Sequence, residues 1–150
     1  MIRALRQKHL DITDHTKGDC FKTCVAMILD LPQDDVPNFC AAPKDEWWQL
    51  FQKWLEALHL TAIEVDIAKH PLCCVTRGTP CIVTGKSPRG SWLHSVVAEA
   101  MDEQGFEYLH DPHPSDAGLE DVQLITFFAS LRPDRARKSH DHPTPTAVPA

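Results

Sequence analysis

No apolar run in this 150-residue chain exceeds a handful of residues, far short of the roughly 20 needed to cross a bilayer. The opening Met1-Ile2-Arg3-Ala4-Leu5-Arg6-Gln7-Lys8 carries positive charge without an apolar stretch or a cleavage site behind it. That is not how a secretory leader reads. Positive charge is also in deficit, with a formal net charge of −6, so electrostatics argue against nucleic acid and anionic lipid as partners. These absences make a cytoplasmic chain with no nucleic-acid or membrane partner the expectation.

Zinc-ligand spacing is missing as well. Of six cysteines, Cys20 and Cys24 stand four apart, Cys73 and Cys74 are adjacent, and no C-x-x-C pair occurs. Without a leader, reduced thiols are expected rather than a disulfide framework. Most of them, Cys73, Cys74 and Cys81 included, read as small buried hydrophobes. Neither a metal nor a cofactor is called for.

What is present suits one folded domain. The chain is 43% hydrophobic and 24% charged, with four Trp and six Phe to anchor a core. Residues 1–131 make up that domain. Residues 132–150 carry Pro133, Pro143, Pro145 and Pro149, four Arg or Lys against two Asp, and almost no large apolar residue. Such a segment buries too little to offset its ordering entropy and reads as a flexible tail. No internal repeat is visible.

Two helices are predicted. The first runs from about Cys20 to Asp30, with Asp19 or Thr16 as its cap and Phe21, Cys24, Val25, Ile28 and Leu29 on one stripe. Leu31-Pro32 ends it, because the residue before proline is pushed out of the helical region. The second spans about Asp45 to Leu60 and buries Trp47, Leu50, Phe51, Trp54, Leu55 and Leu58 on a wide face. A short helical turn is expected over 34–39. Strands follow at Thr61–Val65, Cys81–Thr84, Leu93–Ala100, Phe106–Leu109 and Gln123–Phe128, with 101–105 as a hairpin-like connection. Helices first and then an antiparallel sheet give an α+β domain with segregated layers.

Cys20, after Gly18-Asp19, stands where a helix begins. Oriented N–H groups and the helix dipole favour a thiolate there, and the Cys20 N–H can help hold an oxyanion. A thiolate nucleophile wants an imidazole, and the imidazole wants an acceptor that fixes its orientation. His94 opens the third strand after Ser87-Pro88-Arg89-Gly90-Ser91, and Asp111 closes the fourth in His110-Asp111-Pro112-His113-Pro114. Adjacent antiparallel strands bring the two side by side. A metal site on His94, His110 and His113 is the competing reading, opposed by alternation, which sends His110 and Asp111 to opposite faces. Arg89 and Trp92 are candidate substrate contacts.

Three blocks carry a resemblance. Gly18-Asp19-Cys20-Phe21-Lys22-Thr23-Cys24-Val25-Ala26-Met27-Ile28-Leu29, with Leu31-Pro32 and Val36-Pro37-Asn38-Phe39 behind it, is the first. The second is Ser87-Pro88-Arg89-Gly90 with His94-Ser95-Val96-Val97, and the third is His110-Asp111-Pro112-His113-Pro114-Ser115. Together, over roughly residues 10–120, they resemble the papain-like cysteine peptidase superfamily, in particular bacterial and phage relatives of the bacteriocin-processing, double-glycine-type peptidases. The resemblance implies a papain-like fold, with N-terminal helices packed on an antiparallel sheet. It makes Cys20 the nucleophile, His94 the general base and acid, and Asp111 the orienting group. Those relatives carry a Gln about six residues before the Cys, whose amide donates to the oxyanion. Here that place holds Asp14, which accepts rather than donates when ionised. The oxyanion region is therefore assigned to Asp14, Thr16 and Asp19 together with backbone N–H groups.

The function expected is a cysteine hydrolase, peptidase or amidase, acting on a peptide or protein through an acyl-enzyme. Acyl transfer and deamidation use the same triad. A non-catalytic binding module that keeps the fold is the alternative from another class, and a structural protein of a phage or mobile element is a third.

Overall fold

The computed structural model describes residues 2–10, 18–70, 75–101 and 105–132. Two α-helices lead, α1 (Cys20–Leu29) and α2 (Trp47–Ala57), with 3-10 turns at Gln33–Asp35 and Phe39–Ala41 between them. Five strands follow: β1 (Leu60–Asp66), β2 (Pro80–Lys86), β3 (Leu93–Ala100), β4 (Phe106–His110) and β5 (Asp121–Ser130). They form one antiparallel sheet in the order β1-β5-β2-β3-β4. The last strand thus returns to lie between the first two. The architecture is α+β.

Helix α1 lies against β3 and β2, and α2 against β1. The core under the helices joins Phe21, Val25 and Met27 of α1 to Phe51 and Leu55 of α2 and to Ala62, Ile82 and Val97 of the sheet. Aromatic edges lock it: Phe21 meets Trp47 at 5.4 Å and Phe51 at 5.2 Å between ring centroids. Such edge-on pairs add to the area they bury. Gln52 ties α2 to β1, its amide nitrogen donating to Ala62 O (2.7 Å) and its carbonyl accepting the Ala62 N–H (2.9 Å). A second apolar cluster gathers Cys81, Val83, Val96, Ala98, Ile125 and Phe127. Central strands β2 and β3 therefore carry runs of consecutive buried residues rather than a clean alternation.

Several expectations need correction. Helix α2 buries Phe51 and Leu55, with Trp47, Trp48 and Trp54 partly covered, whereas Leu50 and Leu58 lie exposed. The face that meets the rest of the protein, packed on β1, the 39–41 turn, Phe21 of α1 and Phe128 of β5, is narrower than the apolar pattern suggests. Strand β4 is the other edge of the sheet and leaves Tyr108 and Leu109 exposed. Helix α1 stops before Leu31-Pro32. Asp30 adopts a left-handed conformation (φ 52°), and its N–H and that of Leu31 both return to Ala26 O. Asp19 occupies the N-cap position but makes no side-chain cap. Cys73, Cys74, the 102–104 part of the hairpin, residues 133–150 of the tail, Asp14 and Thr16 lie outside the described residues.

Candidate active site

Cys20 is the first residue of α1, at the end of the helix where backbone N–H groups point outward and the dipole is positive. It is half-buried, unlike Cys24 one turn on, which is fully buried with its thiol against Ser95 O (3.5 Å). Burial pushes the Cys24 thiol well up, and that of Cys81 up to about 12, so both are small core residues in thiol form.

His94, near the start of β3, is only 3% exposed. Its Nε2 lies 2.7 Å from Asp111 Oδ1, and Cys20 is close enough to favour the protonated ring. With Nε2 committed to Asp111, Nδ1 is the nitrogen left for the thiol. Burial alone would discharge the imidazolium. The hydrogen bond to Asp111, with the electrostatic pull of Asp111 and Cys20, outweighs it and lifts His94 to about 9. Asp111 follows β4 directly and is itself buried. Burial would raise its carboxyl, but His94 and the N–H groups of His113 and Gly118, each at 2.8 Å, hold it below the usual carboxylate range. The carboxylate is thus gripped by three donors. Cys20, His94 and Asp111 meet in the order the sequence suggested.

The register explains the meeting. His94 faces Gly85 across the β2–β3 ladder, and a Cβ on Gly85 would overlap the Asp121 carbonyl of β5, so only glycine fits there. A bulge between Val97 and Ala98 shifts the β3–β4 pairing, so that Val97 faces His110. That irregularity re-aims the end of β4. The expected adjacency of β3 and β4 holds, with this irregularity in its register.

A strap from the N-terminal segment joins the two halves, and nothing in the sequence flagged it. Arg6 donates to Asp111 O (2.8 Å) and His113 O (2.9 Å) and pairs with Asp116 (2.6 Å). The next residue, Gln7, donates its N–H to Pro112 O (3.0 Å). Asp19, expected at the oxyanion, instead turns its buried carboxylate to the N–H groups of Lys8 (3.2 Å) and His9 (3.0 Å). Residues 6–9 therefore run from the Asp111 loop to the start of α1. Partners about a hundred residues apart leave no local signal. Asp19→Ala strands two backbone N–H groups, and urea denaturation is expected to show a loss of about 1–3 kcal/mol. An unchanged midpoint would refute this role.

His110 and His113, the other two histidines of the competing metal reading, have other partners. His110 binds Leu5 O (2.8 Å), and His113 bonds Ser115 (2.8 Å), its ring edge-on to His94 at 6.2 Å. No metal-binding group of three such side chains occurs among the described residues. Of the two proposed substrate contacts, Trp92 lines the hollow beside Cys20, while Arg89 bonds Ser115 Oγ (3.1 Å). That hollow holds about 510 Å³ between α1, α2 and the sheet, with Phe21, Trp47, Trp92, Leu93 and Leu124 in its wall. Comparison with known protein families, curated proteins and solved structures finds no match to this chain.

Proposed function

We propose that this chain is a papain-like thiol hydrolase that cleaves an amide or peptide bond through an acyl-enzyme. The observation that carries the reading is the buried His94–Asp111 pair with Cys20 near it, the thiol lying at a helix N-terminus and at the wall of an open hollow. A nucleophile on the first helix, a histidine on a sheet strand and an acid after the adjacent strand is also the layout the resemblance implies. An inert binding module has no use for a half-exposed thiol beside a buried, charged imidazole.

In this mechanism the Cys20 thiolate attacks the carbonyl carbon and backbone N–H groups at the start of α1 face the oxyanion. The imidazolium of His94 gives its proton to the leaving amine as the C–N bond breaks. His94 then takes a proton from water, which attacks the thioester and releases the acid and the thiolate. Asp111 holds the ring through Nε2 so that Nδ1 stays on the sulfur.

Mass spectrometry of a synthetic peptide library incubated with the protein tests the reading. Cleavage that disappears in Cys20→Ala supports it. Cleavage that survives in Cys20→Ala, or none at all together with ordinary thiol behaviour at Cys20, refutes it. The pH profile adds a signature. Because His94 stays protonated to about 9, kcat/KM is expected to fall as pH rises through that value, when the proton for the leaving group is lost. Thiol alkylation needs no such proton and should not fall with it. A hydrolytic limb that breaks near 6.5 instead would overturn the assignment of His94.

A further inference from the structure

The carboxylate beside His94 hangs on an exposed loop. Asp111 is buried, but residues 114–117, which follow it, lie in solvent. Two N–H groups of that loop hold the carboxylate, His113 on Oδ1 and Gly118 on Oδ2, each at 2.8 Å. Gly118 does so with a left-handed backbone (φ 68°). Asp116 takes one too (φ 50°), which is uncommon for a residue with a side chain. A loop bent this way persists when its surroundings over-determine it, and Arg6 is placed to do so. Its Nη1 lies 2.8 Å from Asp111 O, 2.9 Å from His113 O and 2.6 Å from Asp116 Oδ1, and its Nη2 lies 3.2 Å from Asp116 Oδ2. One planar cation thus spans residues 111, 113 and 116. An exposed ion pair by itself adds little. The weight of this one lies in the two carbonyls that the same fork takes, a geometry that an ammonium does not reproduce. Leu5 O on His110 Nε2 (2.8 Å) and Gln7 N–H on Pro112 O (3.0 Å) fix the chain on either side, so the guanidinium is presented to the loop.

We propose that Arg6 is a positioning residue of the triad: its guanidinium holds the 111–118 loop in the form in which His113 and Gly118 grip the Asp111 carboxylate and keep it on His94. The proposal rests on the thiol-hydrolase reading and adds a residue that acts on His94 through Asp111. Fixing the backbone carbonyls at 111 and 113 sets where the carboxylate starts and where its first donor lies. Fixing Asp116 sets the limb that returns the Gly118 N–H to Oδ2. With the fork gone, the loop has room to relax, and the bond that keeps the imidazolium charged lengthens or turns away.

The test titrates the His94 ring by imidazole NMR on the full chain, its signals assigned by their loss in His94→Ala. Cys20, Asp111 and His113 are the titratable groups at this ring. In the wild-type chain its midpoint should lie at about 9. In Arg6→Ala the carboxylate holds the imidazolium less well, and the midpoint is expected below about 8. The sign decides, since loss of a nearby cation would by itself raise the imidazole. Arg6→Lys keeps the charge without the fork. It should fall in the same direction by a smaller amount, and it carries the test if Arg6→Ala fails to fold. Lys8→Ala, which cuts the exposed pair with Asp34 farther along the same strap, should leave the midpoint in place. A midpoint unmoved or raised in the Arg6 variants overturns the role of Arg6, and so does one that Lys8→Ala lowers equally. In either case a wild-type midpoint of about 9 leaves the triad standing. A wild-type midpoint near 6.5 would mean that Asp111 does not hold the charge of His94, and overturns the triad and the role of Arg6 together.

Discussion

Iodoacetamide labelling of Cys20 is expected to rise more gently between pH 6 and pH 8 in the wild-type chain than in His94→Ala. The contrast follows from the state of the ring. His94 is 3% exposed, bonded to Asp111 with Cys20 near it, and holds its proton to about 9. Throughout this interval the sulfur faces an imidazolium, which favours the thiolate. Removing the imidazole takes that partner away, so the reactive fraction depends more steeply on pH. The slope is a better readout than the absolute rate, because a thiolate stabilised by its surroundings is also a weaker nucleophile. Equal, steep slopes in both proteins would mean that the Cys20 and His94 side chains do not share a proton. The hydrolase reading would then fail. A flat profile in both would assign the thiolate to the helix N-terminus alone, and His94 would lose its part in activating the sulfur.

The local elements were legible because their signals are local. Apolar spacing in Phe21, Cys24 and Val25 and the β-branched pair Val96-Val97 report which side of an element meets a core, and α1 and β3 lie where those patterns put them. Order within the sheet was not legible. Nothing in Asp121–Ser130 says that it will pair with both β1 and β2, and the edge position of β4, which leaves Tyr108 and Leu109 in solvent, follows from that order. At the site, Cys20, His94 and Asp111 could be named because each stands at the end of an element, where a reactive side chain is easily noticed. Asp19 could be noticed for the same reason but not interpreted. A carboxylate one residue before a helix looks like a cap until the chain at Lys8 and His9 is seen to take its oxygens. Arg6 and Gln7 carried no signal at all, since their meaning is supplied by the loop after β4.

Asp111→Ala is expected to unsettle the fold as well as the chemistry. The carboxylate accepts from His94, His113 N–H and Gly118 N–H, so its removal leaves a buried imidazole and two backbone donors unpaired. Breaking a buried charged pair from one side costs about 3–5 kcal/mol, which in a chain of this size lowers the Tm by on the order of 10 °C. The pH dependence carries a sign. Asp111 is held below the usual carboxylate range, so its contribution is present above about 4 and is lost as pH falls. His94 is raised, so its contribution is full below about 6.5 and is lost as pH rises towards 9. The stability gap between wild type and Asp111→Ala should therefore be widest between about pH 4 and 6.5 and narrow on either side. Asp111→Asn, which keeps the shape and removes the charge, separates folding from catalysis. It should recover only part of the Tm, because its NH2 faces at least one of the three donors, and lower kcat/KM by about 100-fold or more where that NH2 faces Nε2 and leaves the ring in the wrong tautomer. Thermal denaturation at pH 5 and pH 9, with peptide hydrolysis on the same samples, reads both effects. A gap that does not change with pH would mean that Asp111 supports the loop after β4 without holding the charge of His94. Full activity in Asp111→Asn would remove it from the triad.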